Sequence, residues 1–173
     1  LEKTNNSEMK NKIKVKDSLI DLIAKIGEKI TLRRASFFEK KNGVNFSYVH
    51  SAIEKDIGKI IAVVKLNDTE GSKQIGTKLA MHIAASSPLA IDKTGLNKDV
   101  IDKELEIIKA ELLNSGKKPE MIEKISQGKL NKFVSDNTLL NQAWIMDPKM
   151  KVSDIVKENK IIDFVRYKVG EGV

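Results

Sequence analysis

Residues Gly76–Pro88 read GTKLAMHIAASSP. Taken at about 100° per residue, Ile75, Leu79, Ile83 and Ser86 share one face of a helix, with His82 at its edge and Lys78 beside it. Ala80 and Ala84 make a second face, small enough for another backbone to come close. Pro88 stops the helix, because the residue before a proline is pushed out of the helical region. The pattern predicts a helix packed on two sides, with the Lys78–His82 border left free to meet something. A lone histidine at the edge of an apolar stripe is most often a packed structural residue.

Working outward toward the N-terminus, Asn67–Ser72 is a polar loop, and Lys59–Leu66 (KIIAVVKL) is apolar on both faces at its centre, the pattern of an inner strand. Val44, Phe46, Tyr48 and His50 alternate with Asn45, Ser47 and Val49, as in a half-buried strand. Gly43 turns the chain before it, and Lys29–Phe38, rich in β-branched and aromatic residues, reads as another strand. Leu19, Leu22, Ile23 and Ile26 form one stripe of a helix over Asp17–Ile26, capped by Asp17 or Ser18 and closed by Gly27. Leu1–Lys16 is polar and aperiodic, a mobile lead-in.

Toward the C-terminus, Leu89–Asn97 is a connector, and Ile101, Leu105, Ile108 and Leu112 repeat at four and three along a helix Lys98–Leu113. Gly116 ends that helix and Pro119 opens the next, which presents Ile122, Ile125, Leu130, Phe133 and Val134 on one side. A short link between two amphipathic helices predicts an antiparallel helical hairpin over 98–138. Leu139–Met146, with the only tryptophan, reads as a strand, Asp147–Pro148 as a turn, Ser153–Asn159 as a short helix and Ile161–Val169 as a last strand. The whole is an α+β chain: a lead-in 1–16, a first α+β subdomain 17–72, and a second, 73–173, that carries the hairpin.

Composition narrows the functional classes. The 173 residues hold no cysteine, which excludes disulfides and thiolate metal sites and fits a cytoplasmic setting. No apolar run reaches the roughly 20 residues of a membrane span. The net charge of +7 raises nucleic-acid binding, and a basic RNA-binding module is the alternative reading. Of the 31 basic residues only Arg33, Arg34 and Arg166 are arginine, the residue suited to bidentate phosphate contacts, and the lysines alternate with acids along the helices. No phosphate-binding glycine loop, nucleophile elbow or paired-histidine metal spacing is present, so neither an enzyme nor a cofactor or metal site is expected.

Several stretches resemble one family in the same order: AMHIAASSP (80–88), IGEKITLRR (26–34), Val44–His50 with GKIIAVV (58–64), GKKP (116–119) with KISQGKLNK (124–132), LLNQ (139–142) and FVRYKVGEGV (164–173). Together they are similar to bacterial elongation factor Ts from about Asp17 onward. The resemblance implies two related subdomains, each on a three-stranded antiparallel sheet, with a protruding helical hairpin. It implies binding to the GTPase elongation factor Tu, loosening of GDP and entry of GTP; self-association through the hairpin or a sheet is a further reading compatible with it. It places His82 on a family histidine that faces the GTPase, with Lys78 beside it, and Ile60 on a strand residue that also contacts it. Ile61 stands where the family has glycine, a side chain that holds a partner's backbone off at that point. Nothing before Asp17 matches the family's small N-terminal domain or its Thr-Asp-Phe-Val motif, which wedges beside the nucleotide's magnesium. The expectation is a core that binds the GTPase and exchanges nucleotide poorly alone.

Overall fold

The computed structural model describes residues 1–172, which fall into two compact units, 1–39 and Lys40 onward. In the first, helix α1 (Glu2–Asn6) packs on α2 (Val15–Ile26), and a single antiparallel bridge joins Glu8 to Lys14 between them. The stretch expected as an unstructured lead-in therefore carries regular structure. Helix α2 starts two residues before Asp17, which sits in the first turn facing the positive end of the helix rather than capping it. Gly27 closes α2 at φ 73°, its N–H on the Ile23 carbonyl at 2.9 Å.

The expected strand over Lys29–Phe38 is absent, and residues 29–39 have no regular secondary structure. β-branched content makes a strand only where a neighbouring strand completes the ladder. In the second unit both edges of the central strand are taken. Strands β1 (Val44–Glu54), β2 (Ile57–Leu66) and β3 (Ala143–Trp144) are followed by β4 (Asp147–Lys151) and β5 (Ile161–Lys168). The main sheet is antiparallel in the order β1-β2-β5, so residues from both sides of Ser72 share it. The other sheet is the two-stranded β3–β4 ribbon, not a second three-stranded one. The chain is α+β, and β2 is the inner strand its two apolar faces predict.

Helix α3 (Glu70–Ser86) lies on one face of this sheet. Ala62, Val64 and Leu66 of β2 meet Leu79, Ala80 and Ile83 of α3, all with no exposed surface. The close approach depends on Gly76: a Cβ there would stand 2.2 Å from the Phe46 ring of β1. Thr69 caps α3 by accepting from the Ser72 N–H at 3.0 Å, and Ser87, at φ 51°, ends it before Pro88.

Helices α4 (Lys98–Asn114) and α5 (Pro119–Asn137) form the predicted antiparallel hairpin. Ile108, Leu112, Ile122 and Leu130 bury one another in a core of their own, separate from that under α3. The expected strand over Leu139–Met146 shrinks to a 3-10 turn, Leu139–Asn141, and the two residues of β3. The chain turns at Ile145–Met146, and Asp147–Pro148, expected as the turn, begin β4. Proline is tolerated there because β4 pairs on one side only. Helix α6 (Val152–Val156) follows, with the Asp154 carboxylate accepting from the Lys151 N–H at 2.8 Å.

Candidate partner-binding site

The C-terminal half of α3 brings its residues to two different places. His82, expected on a free border, is fully buried. The β3–β4 ribbon folds over it: the imidazole stacks on Trp144 with ring centres 5.2 Å apart and planes 22° apart. Its Nε2 lies 3.0 Å from Gln142 Oε1, and its Nδ1 receives the Ile145 N–H at 3.4 Å. Gln142 is oriented by its other end, whose Nε2 donates to the Ser86 carbonyl at 3.2 Å and the Asp136 carbonyl at 2.8 Å. Its Oε1 must then accept from His82, which assigns the proton to Nε2 and leaves Nδ1 as the acceptor for Ile145. Desolvation pushes the His82 pKa below its ordinary 6.5, and the Gln142 hydrogen bond pulls partly the other way. The ring is neutral at pH 7.

Lys78, one turn earlier, is exposed, so the pair does not form a common surface. Ile60 and Ile61 part in the same way, since successive strand residues point to opposite faces. Ile60 pairs with His50 and lies on the α3 side, whereas Ile61 pairs with Val49 and Tyr167 on the far side. Of the four residues singled out from the sequence, Ile60 alone lines an open cleft of about 380 Å³ between β1, α3 and the ribbon turn. Its other walls are Tyr48, His50, Met81, Ala84, Ala85, Ile145 and Arg166.

The cleft is lined by apolar Ile60, Met81, Ala84, Ala85 and Ile145 and by polar Tyr48, His50 and Arg166. Tyr48 Oη and His50 Nδ1 are 3.3 Å apart. Arg166 donates from Nε to the Ala84 carbonyl at 3.0 Å and pairs with Glu171 at 2.7 Å, which fixes its guanidinium. Such a surface suits an apolar anchor side chain flanked by acceptors. Sequence reasoning passed over His50, Arg166 and Ile145. The alternation of β1 put Tyr48 and His50 on one face, but no local signal shows that a strand more than a hundred residues later brings Arg166 beside them.

A sequence model of the Elongation factor TS family matches residues 1–171. The chain belongs to the elongation factor Ts family. The match takes in the first sixteen residues, which the motif-by-motif resemblance left outside. Among similar proteins, Elongation factor Ts of Caulobacter vibrioides is 36% identical over 170 residues, covering 92% of this chain and 54% of that protein. That of Clostridium acetobutylicum is 38% identical over 171 residues, with 92% and 54% covered. That of Rickettsia prowazekii is 35% identical over 179 residues, with 96% and 58% covered. The chain thus spans a little over half the length of the elongation factor Ts relatives it matches. Among the described residues no helix is long and apolar enough to cross a membrane.

Proposed function

We propose that this chain is the partner-binding core of a cytoplasmic guanine-nucleotide exchange factor of protein synthesis, docking on elongation factor Tu and weakening its hold on GDP. The observation that carries this reading is the family match along nearly the whole chain. The cleft supplies the docking surface: Ile60, Ala85 and Ile145 offer apolar contact, while His50 and Arg166 supply polar groups. His82 serves the partner from behind the surface and not by touching it. The factor and the nucleotide bind the GTPase with opposing preference, so each lowers the other's affinity by the same factor.

The 173 residues contain no Thr-Asp-Phe-Val. The nearest string, Asp163-Phe164-Val165, is held in β5 opposite Lys65, Val64 and Val63 and is not free to act as a wedge. The chain by itself therefore binds the GTPase and releases GDP slowly. The seam of the α4–α5 hairpin is already filled within the chain, so self-association falls to the sheet face carrying Ile61 and Val63. The test is release of fluorescent GDP from elongation factor Tu with this chain added, beside a pull-down and light scattering of the chain alone. Binding with weak release is the expected result. Absence of binding would overturn the docking reading, and release as fast as with a full-length factor would overturn the core-fragment reading.

A further inference from the structure

We propose that His82 is a positioning residue for the cleft: its neutral ring, protonated on Nε2 alone, holds the β3–β4 turn where Ile145 walls the cleft, and a second proton on the ring releases that wall and weakens docking. The proposal deepens the docking reading above and rests on it.

The geometry is a relay from the base of α5 to the cleft. Gln142 is anchored on two backbone carbonyls, at the ends of α3 and α5, and aims its oxygen at His82 Nε2. His82 in turn offers only Nδ1 to the N–H of Ile145, a residue that is 39% exposed and lines the cleft. Trp144, immediately before the turn, stacks on the same ring and is itself buried. A proton on Nδ1 would set two N–H groups against each other across that contact. It would also place a charge in a site with no exposed surface, where desolvation already disfavours the cation. The cheapest escape is outward movement of the Ile145–Met146 turn, which lies at the end of a ribbon of only two strands.

Charged groups around the ring do not supply a counter-ion. On α3 itself Lys78 is exposed one turn away. From α5, Asp136 turns its carbonyl toward Gln142 and its carboxylate to Lys132 at 3.2 Å. From β5, Arg166 is committed to Ala84 and Glu171, and from β1, His50 meets Tyr48. The β3–β4 ribbon presents Trp144 and the Ile145 N–H to the ring, and from α6 the Asp154 carboxylate is taken by the Lys151 N–H; among the described residues no ion pair to His82 is formed. A protonated His82 would therefore stand unpaired.

The experiment follows the intact chain from pH 7.5 to pH 5 by three readouts: the Nδ1 and Nε2 nitrogen resonances of His82, the Ile145 amide resonance, and emission of Trp144, the only tryptophan. The dissociation constant for GDP-bound elongation factor Tu is measured over the same range, with His50→Gln and His82→Gln variants alongside. The expected result is one midpoint below pH 6.5 shared by ring, amide and emission. Below it the dissociation constant rises by up to tenfold per pH unit, the limit for one linked proton. That step persists in His50→Gln and is lost in His82→Gln. A ring carrying its proton on Nδ1 at pH 7.5, or an Ile145 amide unmoved as His82 titrates, would overturn the proposal without touching the docking reading. Both observations use the unmodified chain and so do not depend on how His82→Gln folds. A moving amide with a flat dissociation constant would overturn the link between the turn and docking. Absence of binding at every pH would overturn the docking reading itself.

Discussion

The α3–sheet body and the α4–α5 hairpin are built from similar residues and hold together in different ways. In the body, contacts join segments far apart in the chain: β2 with β5, Asn67 with Lys160, His82 with Gln142. Buried His82 and Gln142, and Ser72 with Thr69 and Asn67, are tied into networks. In the hairpin the contacts are between successive helices, an apolar seam with a second cluster around Val134 at its base, and the ion pairs Lys109–Glu123 and Lys129–Glu111 lie on the surface. Long-range contacts make the body one cooperative unit, while a local seam allows the hairpin to open by itself. The body carries the cleft, and the hairpin joins it at its base, where Val134 packs with Ala90 and Leu96.

That contrast breaks most readily with a pair of truncations. Leu79→Ala removes a side chain with no exposed surface and is expected to cost the body about 2–5 kcal/mol in denaturant titration. Leu112→Ala, in the seam, should raise amide exchange along α4 and α5 while leaving the strands protected. Equal loss of protection in both regions would contradict the separation. Gly76→Ala comes next. Its methyl meets the Phe46 ring at 2.2 Å, and a loss of about 1–3 kcal/mol is expected, read as a lowered melting temperature.

Acid sharpens the same comparison. The His82 pKa in the folded chain lies below the 6.5 of an unperturbed histidine. Between the two values the unfolded chain binds more protons. The stability His82 contributes is thus complete above pH 6.5 and is lost as pH falls through the window beneath it. Melting curves of the body should show this loss, and His82→Gln should flatten it. Gly128→Ala works in the opposite direction. The position is exposed inside α5 with open space around it, so the hairpin should gain about 0.5–1 kcal/mol, seen as slower amide exchange. The smallest effect belongs to the hairpin's surface ion pairs. Lys109→Ala should cost about 0.2–1 kcal/mol and less at high salt.

What was legible in the sequence follows the same divide. The hairpin could be read almost to the residue, because its heptad-like seam, Gly116 and Pro119 are local signals. Helix α3, its Pro88 stop and the strands β1, β2 and β5 were likewise written in their periodicities. The site was not. Propensity indicates a strand over Lys29–Phe38 because it ignores whether a partner is available. The turn at Ile145–Met146 lacks any turn residue and is set by the register between Ala143 and Lys151. The stripe of α3 leaves His82 at its edge, most often the place of a packed residue, but the ribbon that buries it comes sixty residues later and has no local signal. The resemblance singles out Ile60 but not the residues that share its cleft, for the same reason: the cleft is assembled by strand order, which has no local signature.

The most direct test of the central claim is the affinity of elongation factor Tu for the chain carrying Ala85→Arg. Ala85 is exposed on the cleft wall in the last turn of α3, where a cation is compatible with the helix dipole and folding should be preserved. The account predicts an unchanged melting temperature and affinity weakened at least tenfold. Wild-type affinity in a folded variant would contradict docking through this cleft.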